Sequence, residues 1–196
     1  MTVTELYTQL SDKDFQDYQT GNLFSRAYMY TYNPEEEYEI EAELLDIKNR
    51  LFRPNNYLDV LLIDIFDEYR SFLRSEKFGK MTKLEFYTKQ ETDKPEAVDK
   101  ALKQGAYEPR FMKQLDKKIT DHLNNADDYQ VAFVFVKGFG KAFPYVRASR
   151  FMNNFEKYIK DYKLIMFYPG KAKTYYSLFG LLKDENLYRA IKLINE

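Results

Sequence analysis

Three short apolar runs constrain this chain more than any other feature. Leu58–Ile63 is interrupted only by Asp59, and Val131–Val136 and Leu164–Tyr168 are unbroken. Each is of strand length, and none shows the polar–apolar alternation of a strand with one wet face. Such runs suit strands buried on both faces, as in a parallel sheet covered by helices. Around them the spacing turns helical: Ile40, Leu44, Ile47 and Leu51 fall on one face of the segment before the first run, and Ile65, Phe66, Tyr69, Phe72 and Leu73 on one face of the segment after it. The alternation predicts an α/β fold with a mainly parallel central sheet, helices on both faces and right-handed crossovers. It is the layout of a nucleotide-binding fold, with degenerate loops. A length of 196 residues suits one domain spanning 1–196.

Further elements follow from local chemistry. Val3, Leu6, Tyr7 and Leu10 predict a leading helix over 3–18, and the alternation in Arg26–Tyr32 predicts a strand. Asn33–Pro34 ends that strand, and Glu35, Glu36 and Glu37 suit the positive end of a following helix. Pro54-Asn55-Asn56 is a turn. Residues 76–108 are the least legible. Lys89–Pro95 reads as an exposed loop, and 96–104 and 110–123 read as helices, so 76–125 looks like a helical insertion. Gly138 and Gly140 predict a loop, Pro144 the opening of a helix over about 145–160, and Pro169-Gly170 the end of the third strand. A short helix around 174–179 and a final strand over Leu187–Ile194 complete the reading.

Composition removes whole classes of chemistry. There is no cysteine and one histidine, so disulfides, thiolate metal sites, iron–sulfur clusters, Cys nucleophiles and a His-based metal cage are excluded. The longest apolar run, Val131–Val136, is far shorter than the roughly 20 residues that span a bilayer. The first residues, MTVTELYTQLSDKD, have neither the basic nor the apolar region of a secretory signal. A soluble cytoplasmic protein is expected. Charge is split: residues 1–129 carry 18 Lys/Arg against 26 Asp/Glu, and residues 130–196 carry 12 against 5. Two halves that attract each other account for this, and a basic face for nucleic acid or an acidic partner is the alternative.

In open α/β sheets ligands bind at the carboxyl ends of the strands. Four segments leave those ends: Tyr32-Asn33-Pro34, Asp64–Glu68, Gly138–Lys141 and Pro169–Lys171. Gly138-Phe139-Gly140-Lys141 sits where glycines let backbone N–H groups approach a phosphate, but no third Gly follows, and a tight turn with an exposed Lys explains it as well. Pro169-Gly170-Lys171 has Ile165 and Ala172 where a phosphate-binding loop needs Gly and Ser or Thr. Asp64, Asp67 and Glu68 share a helical face, suited to acid–base work, to Mg²⁺ or simply to the first turn of a helix. His122 reads as a packed or surface residue. The usual catalytic triads lack parts, and no cofactor or metal site is indicated. Arg147, Arg150, Asn154 and Lys157 form a polar helix face, with Lys141 and Lys171 nearby and Tyr145, Tyr168 and Tyr175 interleaved. That pattern fits a protein interface, a nucleic-acid surface or a plain solvated face.

The C-terminal third carries an ordered set of motifs: Phe143-Pro144-Tyr145-Val146-Arg147 after the Gly loop, Asn153-Asn154, Phe167-Tyr168-Pro169-Gly170, Leu178-Phe179-Gly180, and Asp184-Glu185-Asn186-Leu187-Tyr188-Arg189-Ala190. In this order and spacing they resemble the BrxB family of bacterial BREX phage-defence systems. The resemblance is strong over 130–194, weaker over 24–73 and poor over 76–125. Where family members often carry a His, two residues after the motif Arg, Ser149 stands here. The resemblance implies a non-enzymatic accessory or adaptor component of a BREX assembly. Such systems also hold an adenine methyltransferase, a large ATPase and a PglZ-type protein of the alkaline-phosphatase superfamily, the last being the implied partner. Gly138, Gly140, Lys141, Pro144, Arg147, Arg150, Asn154, Tyr168, Pro169, Gly170, Tyr188 and Arg189 are the residues expected to shape a partner- or ligand-binding surface or the frame behind it. A nucleic-acid-binding module and a degenerate nucleotide-binding protein are the alternatives.

Overall fold

Asp12 divides the leading helical segment in two. Its extended backbone ends α1 (Val3–Ser11), and its carboxylate accepts the Asp14 N–H to open α2 (Lys13–Gln16). The predicted single helix over 3–18 is therefore a pair. These residues belong to a computed structural model, which describes residues 2–17, 26–126, 129–130, 132–172, 176–178, 182–183 and 191–192.

β1 (Ala27–Tyr32) is buried throughout. A 3₁₀ turn with Pro34 in its first position leads from it into α3 (Glu37–Phe52), whose buried residues are Ile40, Leu44, Ile47 and Leu51. β2 (Leu61–Asp64) runs directly into α4 (Ile65–Ser75). Only the second half of the Leu58–Ile63 run is strand. Leu58 makes an isolated bridge to Gln130. The hard-to-read region holds a two-residue hairpin, β3 (Lys77–Phe78) with β4 (Met81–Thr82), then α5 (Lys83–Gln90), α6 (Pro95–Gly105) and α7 (Pro109–Asn124). Pro95 and Pro109 stand in the first turns of their helices, where a missing N–H breaks no bond.

β5 (Phe133–Lys137) leads to a one-turn helix, α8 (Phe139–Ala142), where the two glycines predict a loop. The helix expected over about 145–160 is shorter. Pro144 follows a cis peptide bond and lies in a turn, α9 spans Ala148–Phe155, and a 3₁₀ turn covers Glu156–Tyr158. β6 (Lys163–Ala172) does not stop at Pro169-Gly170. Its pairing with β5 ends at Val136↔Met166, whereas Pro169 is still in register with Tyr32 of β1. At Pro169 the strand is thus open on the β5 side, where a proline is tolerated. β7 (Tyr176–Leu178) pairs antiparallel with β6 in place of the expected helix over 174–179, and β8 (Leu182–Lys183) pairs with β7. β9 (Ile191–Lys192) lies within the predicted final strand, whose other residues fall outside the described ones.

The strand order is β2-β5-β6-β1-β9, and each of these neighbours is parallel. Successive side chains face opposite layers, as pleating requires. Tyr28, Tyr30, Tyr32, Phe133, Phe135, Ile165 and Phe167 pack under α1 and α3. Ala27, Met29, Val134, Val136, Leu164, Met166 and Tyr168 pack under α4, α7, α8 and α9. The fold is α/β, a mainly parallel sheet between helical layers, as the apolar runs predict.

Candidate functional site

The carboxyl ends of β1, β2 and β5 converge, and an acidic pair meets a basic pair there. Asp64 and Lys137 end adjacent strands in register, and their Oδ2 and Nζ atoms are 3.3 Å apart. Glu41, one turn into α3, accepts from Lys137 at 2.5 Å through Oε1 and from Lys141 through the same atom. Lys141 Nζ is also 3.8 Å from Asp64 Oδ2. These pairs join the acidic and basic parts of the sequence.

Each group has a local reason to be there. Asp64 caps α4: its Oδ1 accepts from Phe66 N at 3.1 Å and Asp67 N at 3.4 Å. Gly138 turns the chain at φ 84°, in the left-handed region, and a Cβ there would stand 2.3 Å from Asp64 Oδ1. Burial by itself would raise the Glu41 carboxyl, but the hydrogen bonds and charges of Lys137 and Lys141 outweigh it and hold the carboxyl below its ordinary value. The Glu41 hydrogen bond in turn raises the Lys141 ammonium. Beside this cluster Tyr32 donates to Glu37 Oε2 at 2.6 Å, and burial pushes the Tyr32 phenol well above its usual range. Pro34, Glu37, Tyr38, Gly140 and Lys141 line a cleft of about 310 Å³.

The arrangement is that of a closed electrostatic latch. Two ammonium groups face two carboxylates, and Lys141, exposed as a tight turn predicts, is paired with Glu41. Asp64, Asp67 and Glu68 do not act together: Asp67 pairs with Arg70 at 3.0 Å and Glu68 with Lys118. Among the described residues no group of acids or histidine could hold a metal ion. The Pro169–Lys171 segment is continuous strand and so forms no phosphate-binding loop. His122 Nε2 lies 3.4 Å from Asp59 Oδ2, half-buried at the end of α7.

The predicted basic face is tied to the region of α6 and α7. The Tyr107 hydroxyl donates to Tyr145 O at 3.0 Å and accepts from Arg147 N at 2.8 Å, which fixes the entry to α9. The Arg147 guanidinium lies 5.5 Å from the Phe143 ring centroid and that of Arg150 5.9 Å from Tyr107. Asn154 Nδ2 donates to Arg150 O. Arg150 is exposed, whereas Arg147 is half-buried and Ser149 fully buried. Tyr168 belongs to the core, with Pro169 and Gly170 buried after it, so these three present no surface. Tyr145 is half-buried. Tyr175, Tyr188 and Arg189 lie outside the described residues. The expected residues thus divide: Gly138, Gly140 and Lys141 are at the sheet edge, and Pro144, Arg147, Arg150 and Asn154 surround the start of α9. Glu41 and Lys137, which complete the latch, were not singled out from the sequence. Their only sequence signal is position, Lys137 at a strand end and Glu41 one turn into the next helix layer.

A family model described as BREX protein BrxB matches residues 61–193. The chain belongs to the BrxB family. A BREX protein BrxB from Bacillus cereus (strain H3081.97) is 28% identical over 198 residues, covering 98% of this chain and 95% of that protein. No solved structure matches. BrxB-family membership makes the chain a component of a BREX system. The family match includes β2, β5 and β6, whereas Glu41, the acid that ties Lys137 to Lys141, precedes it. Among the described residues no helix is long and apolar enough to cross a membrane.

Proposed function

We propose that this BrxB-family chain is a non-enzymatic adaptor in its BREX assembly and that it binds the PglZ-type protein. The observation that carries the reading is the state of the sheet's carboxyl edge. In an α/β fold that edge is where substrate and cofactor sit, and here Lys137 and Lys141 face Glu41 and Asp64. Groups held against each other in this way supply rigidity, not a poised acid, base or phosphate clamp. The docking surface in this reading is the outer side of the α8–α9 segment, where Arg150 and Lys157 are exposed and Arg147 lies over an aromatic ring. Arg beside aromatic side chains is a frequent anchor in protein interfaces.

Co-expression with the PglZ-type protein of the same gene cluster, followed by size-exclusion chromatography, tests this. A stable complex is expected, and Arg147→Glu with Arg150→Glu is expected to abolish it while circular dichroism stays unchanged. Separate elution of two folded proteins would overturn the reading.

A further inference from the structure

The outer face of α3 carries an apolar seam that is open among the described residues except where Phe52 stacks on Tyr129. Tyr38, Leu45 and Phe52 are 84%, 53% and 43% exposed. They recur every seven residues, so they lie within a narrow stripe, roughly 130° around the helix from the buried Ile40, Leu44, Ile47 and Leu51. The stripe is about 21 Å long, from the helical rise. Ala42 and Asn49 fill the gaps, both exposed. A seven-residue apolar repeat is the pattern with which one helix packs along another.

The seam differs from end to end in three ways. Beside it the N-terminal half carries Glu35 and Glu39 and no basic residue, and the C-terminal end carries Lys48 and Arg53, whereas Arg50 turns away over the Tyr7 ring. At the N-terminal end Tyr38 borders the 310 Å³ cleft with Pro34 and Gly140. At the C-terminal end Phe52 stacks on Tyr129 with centroids 4.2 Å apart, and Tyr57 leans on the same ring at 5.9 Å. Tyr57 is 52% exposed and holds φ 53°, an uncommon conformation for a residue with a Cβ.

One end therefore offers a cleft and negative charge, and the other an aromatic projection and positive charge. We infer that the occupant of this seam is a second copy of the chain, with its α3 antiparallel across a two-fold axis at Leu45. An isologous contact needs a surface complementary to itself after rotation by half a turn, and this one is. Leu45 meets its equivalent at the axis. Tyr38 and the cleft of each copy receive Phe52 and its aromatic neighbours from the other. Glu39 of each copy lies across from Arg53 of the other. Asp46, the acid nearest the axis, is already paired within its helix to Arg50 at 3.6 Å. A seam of this length is at the small end for a specific interface, so micromolar self-association is expected. The seam lies on the layer opposite α9, which leaves the proposed partner surface open.

Two measurements on the full chain decide it. Sedimentation velocity from about 1 to about 200 µM is expected to show a monomer–dimer equilibrium. Leu45→Glu raises the dissociation constant more than about tenfold. Glu39→Lys weakens the dimer, and adding Arg53→Glu restores it. Because the chain has no cysteine, Leu45→Cys provides a single thiol at the axis and is expected to form a disulfide dimer on mild oxidation. Lys100→Cys, on the exposed side of α6, is expected to remain monomeric. A wild-type chain that is monomeric throughout, a Leu45→Glu variant that dimerises unchanged, or Lys100→Cys cross-linking as readily as Leu45→Cys would each overturn the inference. If the wild type is monomeric and Leu45→Glu loses the PglZ-type protein instead, the seam belongs to a different protein and the second copy is ruled out.

Discussion

Gly138 and Asp64 are placed so closely that the side chain of one depends on the absence of a side chain on the other. Asp64 Oδ1 occupies a position 2.3 Å from where a Gly138 Cβ would be, while the same oxygen caps α4 and its carboxylate partner faces Lys137. Gly138→Ala would combine a left-handed backbone strain with a displaced cap, an expected loss of about 2–4 kcal/mol in urea denaturation. Asp64→Ala removes the atom in the way, so the double variant should be less destabilised than the sum of the singles. Gly140→Ala should cost markedly less, since Gly140 has no positive φ. Strict additivity at 138 and 64 would refute this coupling.

The latch on Glu41 predicts an acid limb with a defined sign. The Glu41 carboxyl is held below its ordinary 4.5 in the folded chain. A group with a depressed folded pKa contributes stability that is present above the unfolded value and lost as pH falls through the folded one. Glu41→Gln should therefore lower stability near neutral pH, by about 1 kcal/mol for a partly exposed pair, and the gap to wild type should close below pH 4.5. Denaturation curves across that range check it, and a gap that widens in acid would contradict it.

Much of the fold was legible because periodicity is local. The face of α3 follows directly from Ile40, Leu44, Ile47 and Leu51, and the buried strands from their apolar runs. The helices read over 96–104 and 110–123 match α6 and α7, but residues 76–90 were not legible, since α5 has no buried residue and the hairpin beside it is two residues to a strand. Pro169 misled because a proline usually ends a strand, and here the neighbouring strand has already ended. Pro144 misled because the helix it seemed to open starts four residues later at Ala148. The latch was half legible. Gly138, Lys141 and Asp64 stand at strand ends, but Glu41 and Lys141 are 100 residues apart and no spacing rule joins them. The seam on α3 was hidden for the opposite reason: an exposed apolar residue looks ordinary until the helix's other face is known to be full.

Alkaline unfolding should begin near the ordinary tyrosine pKa. Burial raises Tyr28, Tyr32, Tyr69 and Tyr162 above 10.0, and burial together with Glu43 pushes Tyr30 up to about 12. A group raised in the folded state gives stability that is complete below its unfolded pKa and lost as pH climbs. Loss should start at about pH 10 and progress beyond it. Tyrosinate absorbance followed alongside circular dichroism is expected to show exposed tyrosines ionising first and a second group ionising together with loss of structure. A single titration complete before any structural change would show that these phenols are not held by the fold.

Among the described residues Lys163 is the one fully buried charge, and it fixes the N-terminal helices to the sheet. It is 1% exposed, donates to Phe15 O, and its ammonium lies 4.3 Å from the Phe15 ring centroid and 5.8 Å from that of Tyr28. Burial lowers its pKa, with Asp17 and Asp12 opposing. Lys163→Ala would remove the cation and its methylene stem and leave Phe15 O without its donor, an expected cost of about 2–4 kcal/mol. The damage should be local before it is global, because α2 is a single turn held by this contact and by the Phe15–Phe133 stack. Hydrogen exchange should show protection lost over α1 and α2 while β5 and β6 stay protected. Lys163→Met, similar in length and apolar, should recover most of the packing but not the bond to Phe15 O, and so fall between wild type and alanine. Equal exchange in all three proteins would mean that Lys163 does not hold α1 and α2 in place.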